Sequence, residues 1–210
     1  IANAIYREVF KKEPPFDIPY EFFLIGGAKM SSSKGLGATA KDMADFLPEN
    51  ILRFLLIRTK YKRAIDFQPE GDAIPLLYDE YDRCAESFQN DSKADLSRAY
   101  YYTSIENPST ALGARPKYLL RFSKIAHMLQ MPRVDIFKYA EEEKKSELTE
   151  IERKEAESRI EIAKKWLEKF APDSFKFNIQ NELPSQAKNL NAEQKMFLKK
   201  IAGVIEKENL

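Results

Sequence analysis

The distribution of glycine constrains this chain most. Of seven glycines in 210 residues, four fall between positions 26 and 37, in "LIGGAKMSSSKGLGA", and beyond Asp66 only Gly71, Gly113 and Gly203 remain. From there on, apolar residues recur at helical spacing. In "RPKYLLRFSKIAHMLQM", Tyr118, Phe122, Ile125 and Leu129 form one stripe, and Pro116 is placed to start the helix. In "LTEIERKEAESRIEIAKKWLEKFAP" the stripe is Ala156, Ile160, Ala163, Leu167 and Phe170, ended by Pro172, with Trp166 read as core. Asn191 and Gln194 announce a last helix carrying Phe197, Leu198, Ile201, Val204 and Ile205.

The N-terminal part reads differently. A short helix in "NAIYREVF" is broken by the prolines of "KKEPPFDIP", and "YEFFLI" suits a buried strand that leads into the glycine and serine loop. Two helices follow, "TAKDMADFL" and "PENILRFLLIRTK". The second has Pro48 and Glu49 at its start and apolar residues around most of its circumference, so it is expected to be buried.

Lys and Arg number 34 against 33 Asp and Glu, so an affinity for nucleic acid has to come from local patches. Residues 1–63 hold 11 basic and 7 acidic side chains, whereas the acidic run from Glu141 to Glu161 repels phosphate and is expected to face solvent. The one cysteine, Cys84, excludes an intramolecular disulfide or a cysteine-based metal site and fits a reducing compartment, with the cytoplasm as the default. No apolar run reaches the roughly 20 residues of a membrane helix, so no membrane partner is expected.

"KMSSSKG" brings together the elements of a phosphate contact. Lysine ammonium groups, serine hydroxyls and glycines that admit main-chain N–H groups lie within seven residues. The pattern G-x-x-x-x-G-K-[ST] is not met. A surface loop and a phosphate-binding loop are equally good readings of these residues taken alone.

The motif resembles the Lys-Met-Ser-Lys-Ser signature of class I aminoacyl-tRNA synthetases, in a variant with serine fourth. With its flanks, "PPFDIPYEFFLIGGAKMSSSKG" and "LPENILRFLLIRTKYKRAIDFQPEGDAIPLLYDEYDR", it resembles the class I lysyl-tRNA synthetase family typical of archaea. The resemblance implies ATP-dependent activation of lysine to lysyl-adenylate, with Mg2+ accompanying ATP, then transfer to tRNA(Lys). It places Lys29 as the first signature lysine, Ser31 and Ser33 as the two serines, and Met30 as an anchor beneath the loop. Ser32 replaces the second lysine, so Lys34 is the candidate to supply its charge; Gly35 and Gly37 would permit the loop to close over ATP. Lys29 and Lys34 are the catalytic candidates, and Met30 to Gly35 with Lys29 form the ATP-binding loop.

The single histidine, His127, lies mid-helix and cannot supply the His-Ile-Gly-His signature of such enzymes. The catalytic fold and lysine pocket are therefore expected before residue 1, and the chain to be inactive alone and incomplete at its far end. The expected fold is mainly α, with residues 1–38 ending a catalytic domain, 39–88 forming a stem-contact-like helical region, and 89–210 an α-helical anticodon-binding domain.

For tRNA, Arg58, Lys60, Lys62 and Arg63 in "RTKYKR" form a basic patch at a helix end, although a solvated helix terminus explains them equally well. Lys117, Arg121 and Lys124 fall along one helical face and could track a phosphate strand. Bases are read on exposed aromatic rings, and of Tyr100, Tyr101 and Tyr102 at least one is expected to be exposed. Alternative readings are a glutamyl, cysteinyl or methionyl class I synthetase, or a helical RNA-binding module without catalysis.

Overall fold

The structure, a computed structural model, describes residues 2–16, 18–29, 40–91, 94–103, 115–177 and 182–208. It is mainly helical, as expected, and divides into two compact units, Ile1–Arg115 and Pro116–Leu210.

In the first unit α1 (Ala2–Glu8) precedes a small sheet of β1 (Phe23–Ile25), β2 (Ala28–Lys29) and β3 (Ile65–Asp66). The strand order is β2-β1-β3, with β1 antiparallel to β2 and parallel to β3. The strand expected to be buried is only partly covered. Phe23 and Leu24 are half-buried, while Tyr20 and Phe22 just before them are 84% and 54% exposed, because strands this short shield little surface.

The core of this unit is helical. α2 (Ala40–Phe46) and α3 (Glu49–Ile57) are followed by α4 (Ala73–Asn90) and α5 (Asp95–Tyr101). α3 buries Ile51, Phe54 and Leu55, and Phe54 meets Tyr81 of α4 edge-on at 5.3 Å. The expectation that α3 is covered all round is not met: Leu56 and Ile57 remain 49% and 38% exposed because its neighbours pack on the Ile51–Phe54–Leu55 side. Tyr81 packs in turn on Tyr100, which ties α4 to α5.

The second unit contains α6 (Phe122–Met128), α7 (Ile136–Lys144), α8 (Glu150–Lys169) and α9 (Ala192–Glu208), with 3₁₀ turns at Asp173–Phe175 and Ser185–Asn189. Trp166 is fully buried as read, edge-on to Phe122 at 5.9 Å. The buried stripe of α8 is Glu152, Ala156, Arg159, Ala163 and Trp166 with Ile162: Ala156 and Ala163 are buried as expected, whereas Ile160, Leu167 and Phe170 are only partly covered and Arg159 and Trp166, one position earlier than Ile160 and Leu167, take the core positions. The acidic run, too, does not lie wholly in solvent: Glu152 is only 4% exposed. α6 starts at Phe122 rather than at Pro116, since α8 side chains hold the backbone of the preceding residues.

Helix ends follow local chemistry. Asn191 and Gln194 exchange the two expected capping hydrogen bonds, 3.0 and 2.8 Å. Thr149 and Glu152 form a second capping box at the start of α8. Phe197, Leu198 and Val204 of α9 are all at least half exposed.

Candidate functional site

A tight hairpin leads up to the "KMSSSKG" stretch and ends at Lys29. Gly26 and Gly27 have φ of +57° and +75°, the left-handed backbone that a two-residue turn demands of both central positions. The turn sets Leu24 opposite Lys29 and Ile25 opposite Ala28. These two glycines therefore serve the turn. The backbone N–H of Gly27 also donates to Asp66 Oδ1 at 3.1 Å, tying the turn to β3. Lys29 thus has its backbone fixed at the last position of a strand. Met30, Ser31, Ser32, Ser33, Lys34, Gly35 and Gly37 lie outside the described residues.

The basic segment after α3 sits beside the strand leading into that hairpin. Glu21 donates its backbone N–H to the Tyr61 carbonyl at 3.0 Å, and Ile65 donates to Phe22 at 3.1 Å. Lys60, Lys62 and Arg63 are exposed on this turn, and the Lys62 ammonium lies 5.7 Å from the centre of the Tyr61 ring. Arg58 is different: it pairs with Glu80 of α4, so its guanidinium bridges two helices.

In the second unit the three candidate cations do not share a helical face. Lys117 and Arg121 precede α6, with Arg121 as its N-cap residue, and only Lys124 is within the helix. Lys124 pairs with Glu143 of α7, whose carboxylate also accepts the Tyr118 hydroxyl at 3.0 Å and the Tyr139 hydroxyl at 3.2 Å. The hydrogen bond from Lys124 holds the Glu143 carboxyl below its ordinary range, against the upward push of burial. The Tyr118 phenol is pushed well above its ordinary range, first by burial and then by its bond to Glu143.

Two aromatic arrangements were missed by periodicity alone. Arg115 lays its guanidinium over Tyr100 at 4.7 Å and Phe88 at 5.0 Å, and donates to the carbonyls of Tyr100 and Tyr101 at 2.9 and 2.8 Å. A cation thus closes the C-terminal end of α5. Within the tyrosine triplet, Tyr100 is buried and Tyr102 is 50% exposed. In the second unit, Trp166, Phe175, His127 and Phe177 form a succession of ring contacts. The signal was the pair of aromatic residues two apart in "SFKF" after Pro172, where the chain leaves the 3₁₀ turn at Phe175 and extends at Lys176.

No group of three or more His, Cys, Asp or Glu side chains that could hold a metal occurs among the described residues, and none of their helices is long and apolar enough to cross a membrane.

A family model described as tRNA synthetases class I (K) matches residues 1–107. Curated lysine–tRNA ligases are similar along most of the chain. That of Methanosarcina barkeri is 33% identical over 207 residues, which is 98% of this chain and 37% of the relative. That of Archaeoglobus fulgidus is 32% identical over 202 residues, 94% of this chain and 37% of the relative. That of Pyrococcus furiosus is 30% identical over 190 residues, 85% of this chain and 35% of the relative. The chain therefore spans little more than a third of the length of these relatives.

Proposed function

The chain belongs to the class I (K) tRNA synthetase family, and from that premise we propose that it furnishes the signature loop and part of the tRNA-binding surface of a lysine–tRNA ligase. The family match across residues 1–107, which include the hairpin that ends at Lys29, carries this reading. The names of the relatives favour lysine over the glutamyl, cysteinyl and methionyl alternatives.

In the reaction, a carboxylate oxygen of lysine bonds to the α-phosphorus of ATP as the bond to the β-phosphate oxygen breaks, giving lysyl-adenylate and pyrophosphate. A hydroxyl of the tRNA terminal adenosine then takes the lysyl group and AMP leaves. Negative charge grows on the departing pyrophosphate, so ammonium groups held there stabilise the transition state more than the ground state. Lys29 and Lys34 are the groups proposed for this role, with Lys34 supplying the charge absent at Ser32. Ser31 and Ser33 add hydroxyl donors and Met30 seats the loop. Mg2+ arrives with ATP as part of the substrate.

For tRNA(Lys), the exposed Lys60, Lys62 and Arg63 are the phosphate contacts proposed in the first unit, and Lys117 and Arg121 those in the second. Arg58 pairs with Glu80 and Lys124 with Glu143, partners that a phosphate contact at either residue would have to displace.

The test uses the complete enzyme with Lys29→Ala and Lys34→Ala made separately. Each is expected to slow ATP–pyrophosphate exchange by about 10²-fold or more, as loss of one preorganised charge contact does. Exchange at the parental rate in both variants would remove the catalytic reading and leave a helical RNA-binding module.

A further inference from the structure

We infer that Asp66 is a positioning residue for Lys29, acting through the Gly26–Gly27 turn; this rests on the role proposed above for Lys29 at ATP. β3 is bonded to β1 on both sides of Asp66. Ile65 donates its N–H to the Phe22 carbonyl at 3.1 Å, and Phe67 donates to the Leu24 carbonyl at 3.0 Å. Phe67 is only 3% exposed, so the residue after Asp66 is anchored in the core of the first unit. Asp66 itself is exposed, and its side chain reaches from this fixed backbone to the hairpin.

The contact meets a need that such a hairpin leaves open. The closing hydrogen bond of a two-residue turn joins the residues on either side of it, here Ile25 and Ala28, and the N–H of the second central residue takes no part. Asp66 Oδ1 accepts that N–H, from Gly27, at 3.1 Å. An ionised acceptor makes roughly twice as strong a hydrogen bond as a neutral one. Gln68 faces the other turn residue from the same segment: a Cβ on Gly26 would meet its Oε1 at 3.2 Å, and its Nε2 donates to Glu70 at 2.9 Å, which orients the amide. Both glycines are thus braced by side chains that follow β3.

The register carries the effect to Lys29. Leu24 is paired with Lys29 on one side and with Asp66 on the other, so the three backbones form one row across the sheet. β2 is held to β1 at two positions alone, Leu24 with Lys29 and Ile25 with Ala28. A two-stranded ribbon this short is marginal by itself, and a brace on its turn is what keeps the register. Losing the brace displaces a lysine proposed to meet the departing pyrophosphate, which slows the chemical step more than it weakens ATP binding.

The test follows ATP–pyrophosphate exchange in the complete enzyme through a cycle of Asp66→Ala, Lys29→Ala and both together, with Asp66→Asn, which keeps an oxygen acceptor, as the conservative variant. D66A is expected to slow exchange about tenfold at little change in the KM for ATP, and D66N to stay within about threefold of the parent. The double variant should be no slower than K29A alone, because nothing is left to position, whereas a merely structural role would multiply the two losses. Parental exchange in D66A, a loss in D66N as large as in D66A, or a double variant about tenfold slower than K29A overturns the positioning role and leaves the reading of Lys29 standing. Parental exchange in K29A overturns that reading, and with it any role exerted through Lys29.

Discussion

Glu152 and Arg159 stand two turns apart on α8 and grip one stretch of backbone between them. Glu152 Oε1 accepts the Tyr118 N–H at 3.0 Å, and an Nη of Arg159 donates to the Leu120 carbonyl at 3.0 Å. Each charge is balanced locally. The other Glu152 oxygen receives the Lys144 ammonium at 2.6 Å and the Thr149 N–H at 2.9 Å, and Arg159 Nε donates to Glu155 at 2.9 Å. Backbone groups at Tyr118 and Leu120 are thereby taken by side chains instead of a helical ladder, which is why α6 waits until Phe122.

Arg159→Met should therefore cost more than a lost surface ion pair. The arginine side chain has no solvent exposure, and its removal leaves the Leu120 carbonyl and the Glu155 carboxylate without their donor. Breaking such a buried arrangement by deleting one partner costs about 3 kcal/mol or more. The measurement is urea unfolding followed by the fluorescence of Trp166, the one tryptophan. Arg159→Lys should recover only part of the loss, since one ammonium cannot reproduce the two-sided guanidinium geometry. An unchanged midpoint in Arg159→Met would show that the grip is dispensable.

Glu143 gives the second unit a defined response to acid. Its carboxyl is held below the ordinary value of 4.5, chiefly by the hydrogen bond from Lys124, while Tyr118 and Tyr139 add donors. A depressed folded value means stabilisation that is fully present above the unfolded value and lost as pH falls through the folded one. The window thus begins near 4.5 and extends downward. Glu143→Gln should lower stability at neutral pH and flatten the decline below that point. Unfolding midpoints compared at neutral pH and at about pH 3, where ordinary carboxylates are protonated, check it; parallel curves would contradict the assignment.

Much of this was legible in the sequence for stated reasons. The glycine-poor length with helical spacing gave a mainly α chain, and Asn191 with Gln194 marked a true cap. The stripe of α8 was legible at Ala156 and Ala163 and not elsewhere, because periodicity counts only apolar side chains and here Glu152 and Arg159 occupy buried positions that a polarity scan assigns to water. Lys124 looked available because its partner, Glu143, is on another helix and nineteen residues away. Gly26–Gly27 carry a local hairpin signal, a glycine pair between short strands, which a search for helical spacing does not register.

Lys145 offers a stabilising change. It follows α7 with φ of +62°, and its N–H and that of Ser146 close the helix onto the Glu142 and Glu141 carbonyls. A residue with a Cβ is strained in this left-handed position, where glycine is at ease. Lys145→Gly should raise the unfolding free energy by about 0.5 kcal/mol, with the entropy of the freer unfolded chain offsetting part of the relief. Thermal unfolding checks the sign: a lower midpoint would mean that the Lys145 side chain contributes more than its backbone strain costs.

Gly27 links backbone conformation to the proposed chemistry. A Cβ there would meet nothing within 4 Å, so Gly27→Ala is penalised by its φ of +75° alone and not by a clash. The left-handed penalty is roughly 1–2 kcal/mol, enough to shift a two-residue turn toward other conformations. Because that turn sets Lys29 opposite Leu24, loosening it misplaces the first of the two lysines proposed to contact ATP. In the complete enzyme Gly27→Ala is expected to reduce ATP–pyrophosphate exchange by about 10-fold, in keeping with the sensitivity of reacting geometry to small displacements. Gly203→Ala serves as the control: this glycine is inside α9 with open space around it, so alanine should add about 0.5–1 kcal/mol of helix stability and leave exchange unchanged. Equal exchange in the two variants would separate the hairpin from catalysis, whereas a loss confined to Gly27→Ala ties the turn to the placement of Lys29.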